Sequence, residues 1–367
     1  MNAPAKLTDV TPRTVEFKLD NQTIHAFEGE TILKAAQRHG VDIPHLCYKE
    51  GMRADGNCRA CVVEIKGERT LAPSCCRTAT AGMGALASSP RAVKSQKMVL
   101  EMLLADMPDT GYKWNDATGS AGQHGELSDW AERLDVPVRP ALKALRRAQP
   151  KSDVSHPAMA VNLDACIQCN RCVRACREEQ VNDVIGYARR GAHSEIVFDL
   201  NDAMGDSTCV ACGECVQVCP TGALMPKTQI GSQVVDKKVD SVCPFCGVGC
   251  LLTYNVKDNK IVSVDGRDGP ANHNRLCVKG RFGFDYAHSP QRLSVPLIRR
   301  VGVVKDPQSL NELNRDSADW SGVFREATWE EALTLTSGTL KGLRDKHGKK
   351  SLAGFGSAKG SNEEAYL

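Results

Sequence analysis

Two cysteine runs with the same spacing define the first chemistry that this sequence predicts. Each run reads C-x2-C-x2-C-x3-C; the first consists of Cys166, Cys169, Cys172 and Cys176, and the second of Cys209, Cys212, Cys215 and Cys219. Three closely spaced thiolates hold a [4Fe–4S] cubane, and in two-cluster proteins the fourth cysteine of each run ligates the other cluster. We therefore predict two cubanes with exchanged fourth ligands, Cys219 joining the first run and Cys176 the second. Structural zinc is the alternative, although zinc sites usually use two separated C-x2-C pairs.

A third cysteine group lies nearer the start of the chain. Its spacing is C-x10-C-x2-C-x13-C, formed by Cys47, Cys58, Cys61 and Cys75. The pattern predicts a [2Fe–2S] cluster, with a first gap longer than in plant-type ferredoxins and therefore a larger loop. Gly51, Gly56 and Ala60 are small enough for backbone amides to approach the cluster sulfides. Cys76 stands next to the fourth ligand and remains an alternative to it, although we favour Cys75.

A fourth group follows as C-x2-C-x3-C-x26-C, formed by Cys243, Cys246, Cys250 and Cys277. The segment LLTYNVKDNKIVSVDG between the last two cysteines alternates like a hairpin around Asp258 and Asn259. Such a hairpin would return the distant cysteine beside the first three. Three clustered thiolates and one remote thiolate fit a third cubane better than tetrahedral zinc.

Composition limits the functions that the chain can have. It has 367 residues, enough for two to four domains, and 17 cysteines, of which all but Cys76 fall into the four groups. The net charge is only +3 and no block of like charge predicts nucleic-acid binding. No apolar run is long enough to cross a membrane, and the first residues, MNAPAKLTDVTPRT, lack an export signal. Thiolate sites suit a reducing compartment, so we predict a cytoplasmic protein.

The elements that would position these cysteines are readable from periodicity. Residues 14–27 alternate as a hairpin turning at Asp20 and Asn21, and Thr31 is a candidate N-cap for a helix that ends at Gly40. Hairpin, helix and cysteine loop follow the order of the plant-type ferredoxin, or β-grasp, fold. Helices are also predicted over 91–107 and near 128–145, with a turn-rich loop at 107–129.

The last residues predict the start of a different kind of domain. Thr328 and Glu331 form a capping box before a helix that reaches about Arg344. The segment LAGFGSAKGSNEEAYL then predicts a short strand, a glycine–serine turn and a second capping box at Ser361 and Glu364. The turn could face a phosphate at a helix N-terminus, or it could be an ordinary connection, which this motif alone favours. One strand cannot close an α/β sheet, so we expect the chain to be interrupted within this domain.

The predicted fold class is a multidomain α+β chain with five parts. These are a [2Fe–2S] β-grasp ferredoxin domain (13–90), a helical linker domain (91–150), a double [4Fe–4S] ferredoxin module (155–230), a small [4Fe–4S] β domain (236–295), and the truncated start of an α/β molybdopterin-binding oxidoreductase domain (296–367).

The order of the cysteine groups resembles one family in particular. The stretches NCRACVVEIKGERTLAPSCC, CIQCNRCVRACREEQVNDVIGYA, CPFCGVGC and CVKG resemble the alpha subunit of soluble, NAD-dependent molybdenum formate dehydrogenases. The front half is also similar to the large iron–sulfur subunit of complex I and to the N-terminal part of iron-only hydrogenases. Those relatives carry a further cubane held by one histidine and three cysteines. Here Met107 stands where that histidine would be and no cysteine lies between 76 and 166, so we expect that cluster to be absent.

The resemblance implies an enzyme that oxidises formate to CO2 at molybdenum or tungsten held by two pyranopterin guanine dinucleotides. Electrons would pass through the three cubanes and the [2Fe–2S] cluster to a partner subunit that binds FMN and NAD. Lys279 matches the family lysine between the first cubane and the pterin, and a surface lysine is the alternative. The family's catalytic Cys or Sec and its His would lie beyond Leu367, so no residue present is assigned as catalytic. The alternative functions are a stand-alone multi-cluster electron carrier and a diaphorase subunit of the complex I or hydrogenase type.

Overall fold

A computed structural model describes residues 13–107, 125–147, 151–230, 235–290, 292–306, 320–357 and 360. The chain divides into two compact units. The first unit comprises residues 1–241 and 250–281, and the second comprises residues 242–249 and 282–367. Residues 108–124 of the loop predicted over 107–129 lie outside the described residues, as does the capping box predicted at Ser361 and Glu364. The last part of that predicted loop was wrong, because a helix begins at Glu126.

The first unit begins with a five-stranded mixed sheet. Its strands are β1 (Thr14–Leu19), β2 (Gln22–Phe27), β3 (Val62–Ile65), β4 (Ala72–Pro73) and β5 (Gly84–Leu86), in the order β2-β1-β5-β3-β4. Strands β1 and β5 are parallel, and the other described pairings in this sheet are antiparallel. Asp20 and Asn21 both have positive φ, as a two-residue hairpin turn requires. The predicted hairpin is therefore confirmed.

Helix α1 (Ile32–Arg38) covers one face of this sheet and closes its core. The side chain of Thr31 accepts a hydrogen bond from the backbone N–H of Lys34, so the predicted N-cap is confirmed. Gly40 follows the helix with φ +72°, the left-handed conformation that ends many helices. Alternate residues of the hairpin and one side of α1 are buried together, which fixes the sheet register.

Three helices follow: α2 (Pro90–Ala105), α3 (Glu126–Arg133) and α4 (Pro140–Lys143). The first predicted helix is confirmed. The second, predicted near 128–145, is divided into α3 and α4, because Asp135 has a positive φ and Pro137 and Pro140 interrupt the pattern. Gln96 anchors α2 to the sheet, since its buried amide donates to the carbonyls of Val62 (2.9 Å) and Ala87 (3.2 Å).

Between residues 151 and 230 the unit is built from short paired elements. Strand β6 (Met159–Val161) pairs with β9 (Leu224–Pro226), and β7 (Ile185–Ala188) pairs with β8 (Glu195–Phe198). Helices α5 (Arg171–Arg174) and α6 (Glu214–Gln217) each occupy one cysteine run, and a π-helical turn (Ala175–Glu179) follows α5. The β6–β9 pairing joins the beginning and the end of this segment, so the two runs form one folding unit.

The first unit ends with a three-stranded sheet in the order β10-β11-β12 and a short helix. These elements are β10 (Lys237–Val242), β11 (Leu251–Lys257), β12 (Lys260–Gly266) and α7 (Val278–Phe282). Asp258 and Asn259 have positive φ at the β11–β12 turn, which confirms the second predicted hairpin. Short 3-10 turns occur at Leu163–Ala165, Gly191–His193 and Lys227–Gln229.

The second unit contains the antiparallel pair β13 (Leu297–Arg299) and β14 (Phe324–Glu326) and the helix α8 (Trp329–His347). Thr328 caps α8 by accepting from the backbone N–H of Glu331, as predicted, and the helix continues three residues past the predicted end at Arg344. Further 3-10 turns lie at Gly283–His288, Trp320–Gly322 and Lys349–Ser351.

The strand predicted at the start of LAGFG was wrong. The described residues from Leu352 to Ser357 have no strand conformation, and Phe355 is fully exposed. A strand exists only where a neighbour accepts its backbone hydrogen bonds, and no described strand of this unit pairs with these residues. Across the described part of the chain, no helix is both long and apolar enough to cross a membrane.

The attachment of α2 to the sheet can be tested at Gln96. We expect Gln96→Met to lower the free energy of unfolding by about 1–3 kcal/mol, because two buried carbonyls lose their donor. Urea unfolding followed by far-UV circular dichroism measures this change. Lys94→Met, at a position of the same helix that faces away from the sheet, is the matched control and should change stability by less than about 0.5 kcal/mol. Equal effects of the two substitutions would contradict the anchoring role.

Candidate iron–sulfur sites

The [2Fe–2S] candidate cysteines converge although they come from different parts of the β-grasp region. Cys47 follows α1, Cys58 and Cys61 precede β3, and Cys75 follows β4. The backbone N–H of Cys47 donates to the Cys58 sulfur at 3.3 Å. The Cys47 thiol lies within hydrogen-bonding reach of Cys58 and Cys75, and Cys75 also reaches Cys61. The donor set of four converging thiols thus fits the predicted cluster.

Hydrogen bonds among these thiols lower the pKa of the accepting thiols and raise the pKa of the donating thiols. Hydrogen bonds from Cys58 and Cys75 lower the pKa of Cys47 to about 2, and a hydrogen bond from Cys75 lowers the pKa of Cys61 to about 7. The donors respond in the opposite direction: the hydrogen bond to Cys47 raises the pKa of both Cys58 and Cys75. Iron binding must release the shared protons, since thiolates are the ligands.

Cys76 occupies a different environment from its neighbour. Cys75 is completely buried, whereas Cys76 is exposed, with its sulfur 3.6 Å from that of Cys75. Cys76 instead lies against Gly56, where an added Cβ would approach its sulfur to 3.0 Å. The geometry therefore places Cys75 with the other three thiols, and the preference for Cys75 over Cys76 remains a prediction.

The two cysteine runs line two separate cavities within the first unit. One cavity is lined by Cys166, Cys169, Cys172 and Cys219. The other is lined by Cys176, Cys209, Cys212 and Cys215. The structure thus brings together the two sets whose fourth cysteines were predicted to be exchanged between the runs. Apolar side chains complete both walls, including Ile196 in the first and Phe198 in the second.

The backbones of the two runs repeat the same conformation around their first cysteines. The N–H of Gln168 donates to the Cys166 sulfur, and the N–H of Ala211 donates to the Cys209 sulfur, both at 3.4 Å. Gln168 and Ala211 have positive φ, and so do Asn170 and Gly213, which begin α5 and α6. Such turns direct amides toward sulfur, where N–H donors stabilise thiolates and cluster sulfides.

Burial dominates the acidity of these thiols. It raises the pKa of Cys166 to about 11 and that of Cys169 to about 12, and it raises the pKa of Cys172 and Cys215 well above the ordinary value. Burial thus favours the protonated form of these four thiols, and iron would have to replace their protons to bind the thiolates.

Within the described residues, no group of three or more histidine, cysteine or carboxylate side chains is arranged to hold a single metal ion.

The fourth cysteine group is divided between the two units. Cys250 and Cys277 belong to the first unit, and Cys243 and Cys246 to the second. In the first unit, Asn272 exchanges hydrogen bonds with the backbone of Leu251 and donates to the carbonyl of Arg275 at 3.0 Å. The chain after Cys250 is thereby held to the chain before Cys277. No local sequence pattern predicts this hydrogen-bonding role of Asn272, and only its position before the last cysteine drew attention to the segment.

In the second unit, Phe245 lies between Cys243 and Cys246 and contacts Tyr286 edge to face, with ring centroids 5.8 Å apart. Its ring also covers Gly283, where an added Cβ would lie 2.7 Å away, so a larger residue there would require the ring to move. Lys279 lies on α7 in the first unit, two residues after Cys277, and its side chain is exposed. Its assignment to a pterin cofactor stays a prediction.

Three arginines that the sequence analysis did not single out connect the cysteine segments: Arg174 and Arg281, which are buried, and Arg147, which is partly buried. Arg174 donates to the carbonyl of Cys47, and Arg147 donates to that of Cys166. Arg281 donates to the carbonyl of Cys212 at 3.1 Å and pairs with buried Glu214 at 2.9 Å. Each of the three arginines therefore binds the backbone carbonyl of a predicted cluster ligand. Long-range pairing of this kind has no local pattern and is visible only in the fold.

Arg171 provides a further connection between separate segments. Its fully buried guanidinium binds both carboxylate oxygens of Glu126 at 2.7 Å and donates to the carbonyls of Tyr48 and, at 3.2 Å, Val218. One side chain thus joins three segments: the loop between α1 and β3 that carries Cys47, Cys58 and Cys61 (here the [2Fe–2S] loop), helix α3, and the second cysteine run.

Met107, at the position of the family histidine, is buried in an apolar cluster. Its neighbours in that cluster include Leu46 and Ala60 beside the [2Fe–2S] loop and Ala165 beside the first run. A thioether in an apolar cluster fills space between these segments. The predicted absence of the histidine-ligated cubane stays a prediction.

Comparison with protein families identifies three iron–sulfur domains. A "2Fe-2S iron-sulfur cluster binding domain" matches residues 12–90, a "4Fe-4S dicluster domain" matches 165–223, and a "Molybdopterin oxidoreductase Fe4S4 domain" matches 236–289. The chain is therefore an iron–sulfur electron-transfer polypeptide of the oxidoreductase class.

Its relatives narrow that class. An NADH-quinone oxidoreductase subunit of Rhizobium meliloti is 33% identical over 79% of this chain and 33% of that protein. The "Putative formate dehydrogenase" of Staphylococcus haemolyticus is 26% identical over 92% of this chain and 36% of its own length. "NADPH-Fe(3+) oxidoreductase subunit alpha" of Geobacter sulfurreducens is 28% identical over 96% and 38%, respectively. The chain is similar to these oxidoreductase subunits and spans about a third of their length.

A solved structure is also similar to part of the chain. The crystal structure of an NAD+-reducing [NiFe]-hydrogenase in the H2-reduced state contains a chain that is 28% identical, with a TM-score of 0.52. The match covers 61% of this chain and 92% of that one. The resemblance to formate dehydrogenases and to the complex I subunit is thus confirmed as similarity. The hydrogenase that matches is a [NiFe] enzyme, whereas the predicted resemblance was to iron-only hydrogenases.

The choice between Cys75 and Cys76 is testable. We expect Cys75→Ser to abolish or strongly alter the [2Fe–2S] EPR signal of the reduced, reconstituted chain, because it removes one of four converging thiols. Cys76→Ser is the matched control and should leave the signal unchanged. A normal signal in Cys75→Ser together with loss in Cys76→Ser would reverse the assignment.

Proposed function

We propose that the chain is the iron–sulfur relay of a formate dehydrogenase that passes electrons toward a subunit binding FMN and NAD. The main observation behind this proposal is that one folding unit contains two cavities, each lined by three cysteines of one run and the fourth cysteine of the other run. Two clusters within one folding unit suit sequential one-electron transfer. The match to a molybdopterin oxidoreductase Fe4S4 domain and the relative named as a formate dehydrogenase support the choice of substrate.

The proposed ligand sets follow the four cysteine groups. Cys47, Cys58, Cys61 and Cys75 hold the [2Fe–2S] cluster. The three [4Fe–4S] clusters are held by Cys166, Cys169, Cys172 and Cys219; by Cys176, Cys209, Cys212 and Cys215; and by Cys243, Cys246, Cys250 and Cys277. When bound, each cluster supplies one-electron redox chemistry. The chain contributes the thiolates, the N–H donors and the apolar walls that exclude water.

Formate oxidation itself releases CO2, one proton and two electrons. The chemistry for that step would be supplied by a molybdenum or tungsten pterin group when bound, with Lys279 proposed to lie between it and the cubane of Cys277. None of the residues described here is assigned a part in breaking the formate C–H bond. The chain's own role is to hold the clusters that carry the two electrons away one at a time.

A second candidate is an electron-relay subunit of an NADH- or hydrogen-linked complex. It is favoured by the relative named as an NADH-quinone oxidoreductase subunit and by the similarity to the NAD+-reducing hydrogenase. The two functions share the cluster relay and differ in the reaction that supplies electrons. Substrate assays therefore separate them, whereas cluster content does not.

Iron content tests the cluster assignment. We expect the anaerobically reconstituted chain to contain about 14 iron atoms, from one [2Fe–2S] and three [4Fe–4S] clusters. Colorimetric iron and sulfide analysis with Mössbauer spectroscopy gives the number and the type of cluster. About 18 iron atoms with a fourth cubane spectrum would contradict the loss of the histidine-ligated site at Met107.

Formate oxidation is tested with the product of the complete gene. We expect that protein to reduce a viologen dye with formate, and to reduce NAD only when the flavin partner is added. The 367-residue chain alone should accept electrons from dithionite but not from formate. Dye reduction by NADH or hydrogen without any reduction by formate would favour the second candidate. Formate bleaching of the short chain's iron–sulfur absorbance would overturn the division of roles proposed here.

A further inference from the structure

Arg174 is a buried cation without a described carboxylate partner. Its residue is 2% exposed, and its guanidinium donates to the carbonyls of Cys47 and Arg53. The Nε of Arg174 is buried without a hydrogen-bond acceptor. Two other buried arginines, Arg171 and Arg281, have Glu126 and Glu214 as counter-ions. Among the described residues, no carboxylate lies within ion-pair distance of Arg174.

An uncompensated buried charge is costly. Moving an ion from water into a protein interior costs several kcal/mol unless an opposite charge or several hydrogen bonds offset it. Two carbonyl dipoles offset only part of this cost. The pKa of Glu178 is lowered first by Arg53, with which it pairs at 2.8 Å, and only secondarily by Arg174. The environment of Arg174 therefore implies a further negative charge close to its guanidinium when the clusters are bound.

The neighbouring residues indicate what carries that negative charge. Arg174 contacts the backbone of Cys47, one of the four converging thiols of the first group. An all-cysteine [2Fe–2S] cluster has a net charge of about −2 when oxidised and about −3 after one-electron reduction. Arg174 also lies in sequence between Cys172 and Cys176, which line the two different cubane cavities. In the proposed function, this fixed cation therefore binds the backbone of a ligand whose cluster gains negative charge on reduction.

We propose that Arg174 is the counter-charge of the [2Fe–2S] cluster and raises its reduction potential. This inference rests on the proposed function, in which Cys47 ligates that cluster. The guanidinium attracts the reduced cluster more strongly than the oxidised cluster, because reduction adds one electron and no compensating proton. By binding the Cys47 carbonyl from the helix that carries Cys172, Arg174 also fixes the [2Fe–2S] loop against the first cubane segment. It is a positioning and tuning residue, not a ligand.

Three variants of the reconstituted 367-residue chain separate the charge of Arg174 from its shape. Arg174→Gln removes the charge, whereas Arg174→Lys keeps the charge and loses the planar guanidinium group with its several N–H donors. Arg177→Gln is the matched control, because Arg177 is three residues away, 55% exposed and paired with Asp183 at the surface. The readout is the midpoint potential of the [2Fe–2S] EPR signal, titrated with dithionite and redox mediators under argon.

We expect Arg174→Gln to disfavour cluster reduction about tenfold, a potential lower by about 59 mV for a one-electron couple. Arg174→Lys and Arg177→Gln should stay within about twofold of the parent chain. The proposal is overturned if the midpoint potential of Arg174→Gln equals that of Arg177→Gln. It is also overturned if the midpoint potential of Arg174→Lys is lowered as much as that of Arg174→Gln. Loss of the [2Fe–2S] cluster from both Arg174 variants would assign the residue to assembly and also overturn the tuning role. Absence of this signal from the parent chain would instead refute the proposed function.

Discussion

The exchange of the fourth cysteine between the two runs is the constraint on which the rest of the first unit depends. Cys219 can join Cys166 only if the end of the segment returns to its beginning, and the β6–β9 pairing provides that return. Cys176 must equally leave its own run and face the cavity of Cys209. One folding unit with two neighbouring cavities results, and neither cavity can be completed by one run alone.

Arginine–carbonyl contacts extend this arrangement beyond the double module. Arg171 and Arg174 join the first run to the [2Fe–2S] loop, and Arg281 joins the second run to the segment that follows Cys277. Buried guanidinium groups are rigid and form several hydrogen bonds at once, which suits precise spacing between segments. Arg171 and Arg281 are paired with carboxylates, so the proposed effect of charge on cluster reduction is confined to Arg174.

The relatives use similar domains for different reactions. Proteins named for NADH-quinone, NADPH–iron and formate chemistry match the same region, and the chain covers about a third of each. An electron relay is indifferent to the source of its electrons, because each cluster exchanges only an electron with its neighbour. Substrate specificity therefore has to reside with the group that accepts electrons from the substrate, and the relay contributes the potentials that set the direction of flow.

The sequence by itself determined the cysteine groups, the cluster types that their spacing predicts, both hairpins and the caps at Thr31 and Thr328, because these depend on neighbouring residues and local backbone preference. The exchange of the fourth cysteines was also predictable from spacing, whereas tertiary structure decided the burial of Cys75 rather than Cys76 and the contact of Arg174 with Cys47 across 127 residues of sequence. It also decided against a strand at LAGFG, where local pattern alone was misleading. A strand or a buried charge is stable only beside the right partner, and the identity of that partner is set by the fold of the whole chain.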